Sequence, residues 1–266
     1  MSQLELEPSV DRWLTENDRD RSATVTHVKD LVRALAPLQG LELQRMFDIG
    51  CGFGGLGALV SAHLGIDEVH GIDIDPTALP EARSKGIEAR QIELGVQPLP
   101  YPDEFFDLIM SLGMMDYLPT YDAALAEMQR VLRPGGYILV ALPNLASWHN
   151  RLVLFLGYQP RDVEISCQKL TGLMPWYRND TPTGHIHTAT VGAFSELMAH
   201  HGFQRVRITG GRPGGRKKRL LLQAIDAIFS TRVTLARRFF YLGTKPHATT
   251  SARDDGLTRV DRPQGG

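Results

Sequence analysis

The stretch RMFDIGCGFGGLG, residues 45–57, decides the fold. Its apolar residues Met46, Phe47 and Ile49 indicate the end of a buried strand, four closely spaced glycines follow, and a helical pattern begins at Leu56. A glycine turn between a strand and a helix lets a ligand approach the backbone amides and the positive end of the helix. The stretch therefore predicts an α/β fold with a nucleotide-type site.

Two ligand classes fit these glycines. The spacing Gly50-x-Gly52-x-x-Gly55 satisfies a dinucleotide fingerprint. Asp48, two residues before the first glycine, favours the other class, because a carboxylate would repel a pyrophosphate and attract a ligand ammonium. Asp73 lies roughly 20 residues beyond the glycines, where a strand-end carboxylate can accept both hydroxyls of a ribose. We therefore predict a nucleoside that carries an amino acid, with a dinucleotide as the alternative.

Apolar periodicity predicts the other elements. The expected helices cover residues 24–38, 56–64, 76–85, 123–132 and 191–201, and the expected strands after the first cover 68–76, 87–94, 107–111, 137–142, 203–209 and 239–245. The segment RPGG, residues 133–136, is expected to close the fourth of these helices.

Two later motifs indicate which family the sequence resembles. Residues 99–111, LPYPDEFFDLIMS, are similar to the junction before the fourth strand of small-molecule methyltransferases, and residues 131–137, VLRPGGY, are similar to another hallmark of those proteins. Over about residues 43–145 the chain resembles the class I S-adenosylmethionine (SAM) dependent methyltransferases of the type 11-like group. The resemblance implies a Rossmann-like, mostly parallel seven-stranded sheet with an antiparallel last strand, helices on both faces and an inserted substrate lid.

The resemblance also implies SAM as the cofactor and a set of contacts to it. The expected cofactor-binding residues are Asp48, Gly50, Gly52, Gly54, Asp73, Ile74, Glu93 and Leu112. Asp48 and the glycines would hold the methionine part, Asp73 the ribose, and Ile74 one face of the adenine. Glu93 is the nearest acid for the adenine amine, although its spacing is displaced from the family pattern. Leu112 would border the cofactor through its backbone.

Candidates for catalysis lie near the end of the predicted lid. His185 and His187 alternate in the segment GHIHT, so both side chains share a face if the segment is extended, and imidazole has a suitable proton affinity. The alternative is a pair of histidines that bond the lid backbone, and Asp116 and Tyr117 are rival candidates. No metal site is predicted, because two histidines without a third ligand are weak support for one.

We predict one methyltransferase domain over residues 21–246, a loose lead-in over 1–20 and a disordered tail over 247–266. The lid is placed at about 146–190, where aromatic side chains could close over a flat or apolar acceptor. Its aromatic residues include Trp148, Phe155, Tyr158, Trp176 and Tyr177. The alternative is a helical hairpin with its own small core, which the spacing of Leu152, Leu154 and Leu156 suits.

Charge and composition exclude several classes of protein. The net charge is -1, so no general attraction to nucleic acid is expected, and two cysteines support neither a disulfide framework nor a zinc cluster. The N-terminus lacks the apolar core of a signal peptide and no apolar run reaches membrane-spanning length, so a cytoplasmic location is expected by default.

A basic stretch stands out near the C-terminus. It contains Arg212, Arg216, Lys217, Lys218, Arg219, Arg232, Arg237 and Arg238 against the single acid Asp226. Such a stretch can lie on an anionic membrane or steer an acidic substrate, or it can be a core-facing helix with a solvated face.

The predicted function is methyl transfer from SAM to a small-molecule acceptor through an oxygen nucleophile. A lipid or prenylated acceptor at the membrane surface, a SAM-binding protein without catalysis, and a dehydrogenase are the alternatives. A protein or RNA methyltransferase is disfavoured, because no asparagine-proline-proline-tyrosine type motif follows the fourth strand.

Overall fold

The structure is a computed structural model that describes residues 25–175, 182–211 and 220–247. In chain order its elements are α1 (Val25–Leu35), β1 (Arg45–Ile49), α2 (Gly55–Leu64), β2 (Glu68–Asp73), α3 (Leu79–Ser84), β3 (Ile87–Gln91), β4 (Phe106–Leu112), α4 (Asp122–Val131), β5 (Leu132–Pro143), α5 (Trp148–Phe155), α6 (Val191–His200), β6 (Gln204–Gly211), α7 (Leu220–Phe229) and β7 (Arg238–Thr244). Short 3₁₀ turns lie at Ala36–Leu38 and Met115–Tyr117. All the predicted strands and helices are present. The predicted lead-in and, apart from His247, the predicted tail lie outside the described residues.

The seven strands form one sheet in the order β3-β2-β1-β4-β5-β7-β6. Strand β7 runs antiparallel to both of its neighbours, and the strand pairs from β3 through β5 are parallel. This arrangement confirms the predicted mostly parallel sheet with an antiparallel last strand.

Helices cover both faces of the sheet, which is why the central strands read as almost continuous apolar runs. Helices α1, α2 and α3 pack on the face that carries Met46, Leu108 and Met110. Helices α4 and α6 pack on the opposite face, where Phe47 and Ile109 are fully buried. The carboxyl ends of β1, β2, β4 and β5 therefore open at one edge of the sheet, the edge at which such folds bind ligands.

Strand β5 begins earlier than predicted. The prediction that RPGG closes α4 was wrong, because Leu132 already pairs with Phe106 and the register shifts before Tyr137 pairs with Leu108. The backbone of this segment is bonded by the chain beyond β7, since the Gly135 N–H donates to Lys245 O at 2.6 Å. A partner distant in sequence thus extends the strand through residues that locally favour a turn.

Two other predicted elements are shorter in the structure. Helix α3 starts at Leu79 because Asp75 accepts hydrogen bonds from the amide and hydroxyl of Thr77 and forms a turn there. Strand β3 ends at Gln91, and the carbonyl of Glu93 accepts from the Val96 amide in a following turn.

Among its described residues, the predicted lid segment contains the helix α5. Leu152, Leu154 and Leu156 are all exposed, so the prediction that they form a small core was wrong. Trp176 and Tyr177 lie outside the described residues.

Candidate active site

The first glycine of the loop is required by a neighbouring strand end. Gly50 has φ of 76°, and its amide donates to Ile72 O at 2.8 Å. A Cβ added at Gly50 would lie 2.7 Å from Cβ of Met114, which follows β4. Because Met114 Cβ is fixed to the backbone, only glycine fits at this position without a shift.

The second glycine connects the loop to the acid at the end of β2. The Gly52 amide donates to Asp73 Oδ2 at 2.8 Å, while Asp73 Oδ1 accepts from the Asp75 amide at 2.9 Å. A carboxylate can accept about four hydrogen bonds, so Asp73 retains acceptor capacity for a ligand. Apart from Gly52 itself and its two chain neighbours, no atom of the described residues lies within 4 Å of the position that a Gly52 Cβ would take. Open space therefore adjoins this part of the backbone.

Gly54 and Asp48 are placed differently from Gly50 and Gly52. A Cβ on Gly54 would lie 2.9 Å from Cα of Ala82 in α3, so this glycine allows the loop to pack on that helix. Asp48 is buried, and its Oδ2 would lie 2.6 Å from a Cβ on Gly57, in the first turn of α2. A carboxylate in that turn is stabilised by the partial positive charge of the helix N-terminus.

A cavity of about 700 Å³ opens beside the loop, within the range of roughly 300–1,000 Å³ that is usual for small-molecule sites. Of the residues predicted to bind the cofactor, Gly50, Asp73, Ile74 and Glu93 line it. Ile74 is 61% exposed, so its apolar side chain is accessible to a ligand in the cavity. Neither Asp48, Gly52, Gly54 nor Leu112 lines this cavity, and at the end of β4 its wall is formed instead by Gly113 and Met114.

A histidine and a carboxylate meet beside this cavity. His185 Nε2 lies 3.3 Å from Asp116 Oδ2, and the Ile186 amide donates to Asp116 O at 2.8 Å, which joins the lid segment to the turn after β4. Neither carboxylate oxygen of Asp116 nor Nδ1 of His185 has a hydrogen-bond partner within the described ranges. The ring of Tyr117, which lines the cavity, packs edge-on against His185 with centroids 5.1 Å apart.

The charge of Asp116 is disfavoured by its surroundings. Burial raises the pKa of Asp116, while the positive charges of Arg238 and of protonated His185 oppose that rise. Of the two candidate histidines, only His185 contacts this carboxylate, whereas His187 packs on the ring of Tyr121 at 4.9 Å. The structure thus joins His185 to the rival candidate Asp116, and the two form one acid–base pair.

Arg238 is a site residue that sequence reasoning did not identify. It is the first residue of the antiparallel β7 and pairs with Pro143, so it lies at the same sheet edge as the carboxyl end of β5. Its Nη1 would lie 4.0 Å from a Cβ on Gly113, which lines the cavity. The antiparallel direction of β7 was the signal that could have placed it there.

Other reactive groups in the site have structural roles. Cys51 is buried against Gly71, and burial raises the pKa of its thiol, so the thiol is kept protonated. No three His, Cys, Asp or Glu side chains cluster as metal ligands within residues 25–175, 182–211 and 220–247.

Comparisons with known proteins agree with this geometry. A family profile described as "Methyltransferase domain" matches residues 47–140. The ubiquinone/menaquinone biosynthesis C-methyltransferase of Cupriavidus metallidurans is 33% identical over 168 residues, which cover 61% of this chain and 68% of that protein. The fatty-acid O-methyltransferase of Mycolicibacterium smegmatis is 31% identical over 113 residues, which cover 41% of this chain. Those residues span only 40% of that relative, less than two thirds of its length.

Among solved structures, the complex between the Haloferax volcanii Trm112 methyltransferase activator and a methyltransferase contains a similar chain. The TM-score is 0.60 at 18% sequence identity, and the alignment covers 90% of this chain and 98% of that one. At this identity the similarity supports the fold alone.

Proposed function

Because the chain belongs to the class I SAM-dependent methyltransferases, we propose that it transfers a methyl group from SAM to a small-molecule acceptor through an oxygen nucleophile. The observation that carries this function is the cavity at the carboxyl edge of the sheet, which Gly50, Asp73 and Tyr117 line. The ring of Tyr117 contacts His185, which forms an acid–base pair with Asp116.

The residues of the cavity and of the adjoining loop fit the cofactor. In the cavity, Asp73 retains acceptor capacity for ribose hydroxyls, and the exposed Ile74 offers an apolar surface to an adenine. In the loop, the open space at Gly52 would let a ligand approach the backbone. Glu93 lines the same wall and would accept from the adenine amine. When bound, SAM supplies a methyl group on a positively charged sulfur. The protein's contribution is mainly the positioning of the acceptor, which is worth up to about 7–11 kcal/mol in well-oriented reactions.

The acid–base pair supports an oxygen acceptor. His185 Nδ1 is the ring nitrogen that does not face Asp116, and it would take the proton that an acceptor hydroxyl loses as its oxygen becomes methylated. Asp116 would stabilise the resulting imidazolium. If the acceptor is a carboxylate, as the name of the fatty-acid O-methyltransferase relative suggests for that protein, no base is needed. In that case Arg238 supplies the positive charge that would orient it.

Calorimetric titration with SAM, S-adenosylhomocysteine and NAD tests the cofactor. We expect the two sulfur nucleosides to bind and NAD not to bind. Gly52→Ala should abolish SAM binding, although its new Cβ would not clash with another described residue. Gly40→Ala also places alanine at a positive φ in open space, and it should leave SAM binding unchanged. Binding of NAD alone would overturn the proposed function.

A second acid gives a matched pair of variants. Asp73→Ala should lose SAM binding, while Asp75→Ala, which removes an exposed acid two residues away, should retain most of it. Equal affinities in the two variants would exclude a contact between Asp73 and the ligand.

Transfer of radiolabelled methyl from SAM to fatty acids, phenols and quinols then tests the acceptor. With a hydroxyl acceptor, His185→Ala should lower the rate by about 10²–10⁴-fold with SAM binding intact, and His187→Ala should change it much less. Undiminished transfer to a hydroxyl by His185→Ala would exclude His185 as the base. SAM binding without transfer to any acceptor would favour the non-catalytic alternative.

A further inference from the structure

Helix α5 carries an apolar stripe on its outer side. Trp148, Leu152 and Phe155 follow one another at helical spacings of four and three residues, and Leu156 adjoins them. Phe155 is 87% exposed, and both leucines are also exposed. Soluble monomers rarely leave contiguous apolar surface of this kind uncovered unless it binds something.

A second apolar stripe on α7 continues the first. Ile228, 67% exposed, and the exposed Phe229 lie on the outer side of α7, and the Phe229 ring stacks on Trp148 with centroids 5.5 Å apart. The polar residue of this half of the helix faces inward, because Asp226 is buried and accepts from Trp148 Nε1 at 2.9 Å. Over the described half of α7, the prediction of a core-facing apolar side and a solvated polar side is therefore wrong. The acidic residue Asp226 faces inward, and the apolar residues Ile228 and Phe229 face outward.

The inward orientation of Asp226 is fixed by an ion pair with Arg237. Arg237 Nε lies 2.6 Å from Asp226 Oδ1, and the guanidinium also lies 5.1 Å from the centre of the Trp148 ring. We use the name α5–α7 surface for Leu152, Phe155, Leu156, Ile228 and Phe229. It is held in place by a buried polar contact between the two helices.

Basic residues outnumber acidic ones in and beside the two helices, and the first acid after α5, Asp162, lies 3.9 Å from Arg161. Residues 146–161 contain no acid, and residues 212–238 contain eight basic residues against Asp226, whose charge is neutralised by Arg237. Arg151 and Arg232 are exposed beside the apolar stripes. Five of the basic residues, in 212–219, lie outside the described residues but directly precede α7 in the chain.

We propose that the α5–α7 surface docks this protein on an anionic lipid bilayer. Exposed aromatic and aliphatic side chains with basic neighbours are the pattern by which helices lie in the membrane interface. Within the described part of the chain no helix is long and apolar enough to cross a membrane, so the surface would lie in the interface plane. A second copy of the chain is a poorer occupant, because two such surfaces would bring like charges together.

Cosedimentation of the full chain with vesicles tests this directly. We expect binding to phosphatidylcholine vesicles that contain phosphatidylglycerol to be at least tenfold tighter than binding to pure phosphatidylcholine, since each basic residue near an anionic surface adds about 1 kcal/mol. High salt should remove that difference. Equal binding to both vesicle types, or none to either, would overturn the proposal.

The apolar contribution has its own matched control. Phe155→Glu/Ile228→Glu should lose vesicle binding, whereas Leu41→Glu/Val206→Glu, which changes two exposed apolar residues elsewhere, should retain it. Unchanged SAM binding by both double variants would show that they are folded, and this readout does not depend on methyl transfer. Equal vesicle binding by the two, or a stable dimer that only Phe155→Glu/Ile228→Glu disrupts, would contradict the bilayer as the occupant.

Discussion

Replacing Gly50 by alanine is expected to destabilise the fold and the ligand site together. Alanine at φ of 76° costs about 1–2 kcal/mol, because an L-residue is strained in the left-handed region. The new Cβ would also lie 2.7 Å from Met114 Cβ, and relieving this overlap in a packed region costs about 1–3 kcal/mol more. The free energy of unfolding should therefore fall by about 2–5 kcal/mol.

Comparison with Gly40→Ala isolates the second of these contributions, the overlap with Met114. Gly40 has φ of 79° but no atom within 4 Å of its added Cβ, so only the strain of about 1–2 kcal/mol applies. Thermal unfolding should place the Tm of Gly50→Ala below that of Gly40→Ala by about 2–12 °C, because 1 kcal/mol corresponds to about 2–4 °C in a domain of this size. SAM binding should weaken only in Gly50→Ala, since Met114 lines the cavity. Equal Tm values for the two variants would refute the contact between the glycine loop and Met114.

Three further predictions concern buried polar groups. Burial raises the pKa of Asp116, so the folded state binds more protons than the unfolded state as the pH rises above the ordinary pKa of 3.8. Asp116→Asn should therefore have a higher Tm than the parent protein near neutral pH, but not below pH 3.8. An equal difference in Tm at both pH values would contradict this. Burial also raises the pKa of Cys51, so iodoacetamide at about pH 8 should alkylate the exposed Cys167 and leave Cys51 unmodified in the native protein, as peptide mass spectrometry would detect. Asp226→Ala should lower the free energy of unfolding in urea by about 3–5 kcal/mol because Arg237 loses its buried partner, whereas Asp122→Ala, which removes an exposed acid, should cost no more than about 1 kcal/mol.

The sheet could be predicted from local sequence because its central strands are buried on both faces. The run from Phe106 to Leu112 has no exposed position, so its apolar composition identified the strand without any knowledge of its partners. The start of β5 could not be predicted in this way. Gly135 and Gly136 favour a turn, but hydrogen bonds with Thr244 and Lys245, which are distant in sequence, draw them into the sheet.

Periodicity identified helices but did not identify what their apolar faces contact. The stripe of Leu152 and Phe155 on α5 has the spacing of a packed helix, yet it is exposed. In α7 a core-facing helix with a solvated face was one of the predicted alternatives, yet Asp226 is buried and Ile228 is exposed. The cationic partner of Asp226, Arg237, is not revealed by the periodicity of the helix itself.

The site was predictable where one local segment forms it. The hydrogen bond between the Gly52 amide and Asp73 follows from the spacing of two adjacent parallel strands and confirms that the loop and the second acid adjoin. The pair of Asp116 and His185 depends on the lid folding back over the turn after β4, and Arg238 depends on the direction of β7. Spacing along the chain contains no information about such contacts, so the sequence supplied these residues only as separate candidates.

The three predicted cofactor-binding glycines have different neighbours in the fold. Gly50 is required by Met114, and Gly54 is required by Ala82, so both are needed for packing whatever the ligand is. Of these three glycines, only Gly52 has open space among the described residues at the position of a side chain, so packing does not explain its lack of one. Alanine at Gly50 or Gly54 would therefore disturb folding before it disturbed binding, whereas alanine at Gly52 compared with Gly40 separates the two effects. The neighbours of each glycine, rather than the spacing between the glycines, separate the two that packing requires from the one that it does not.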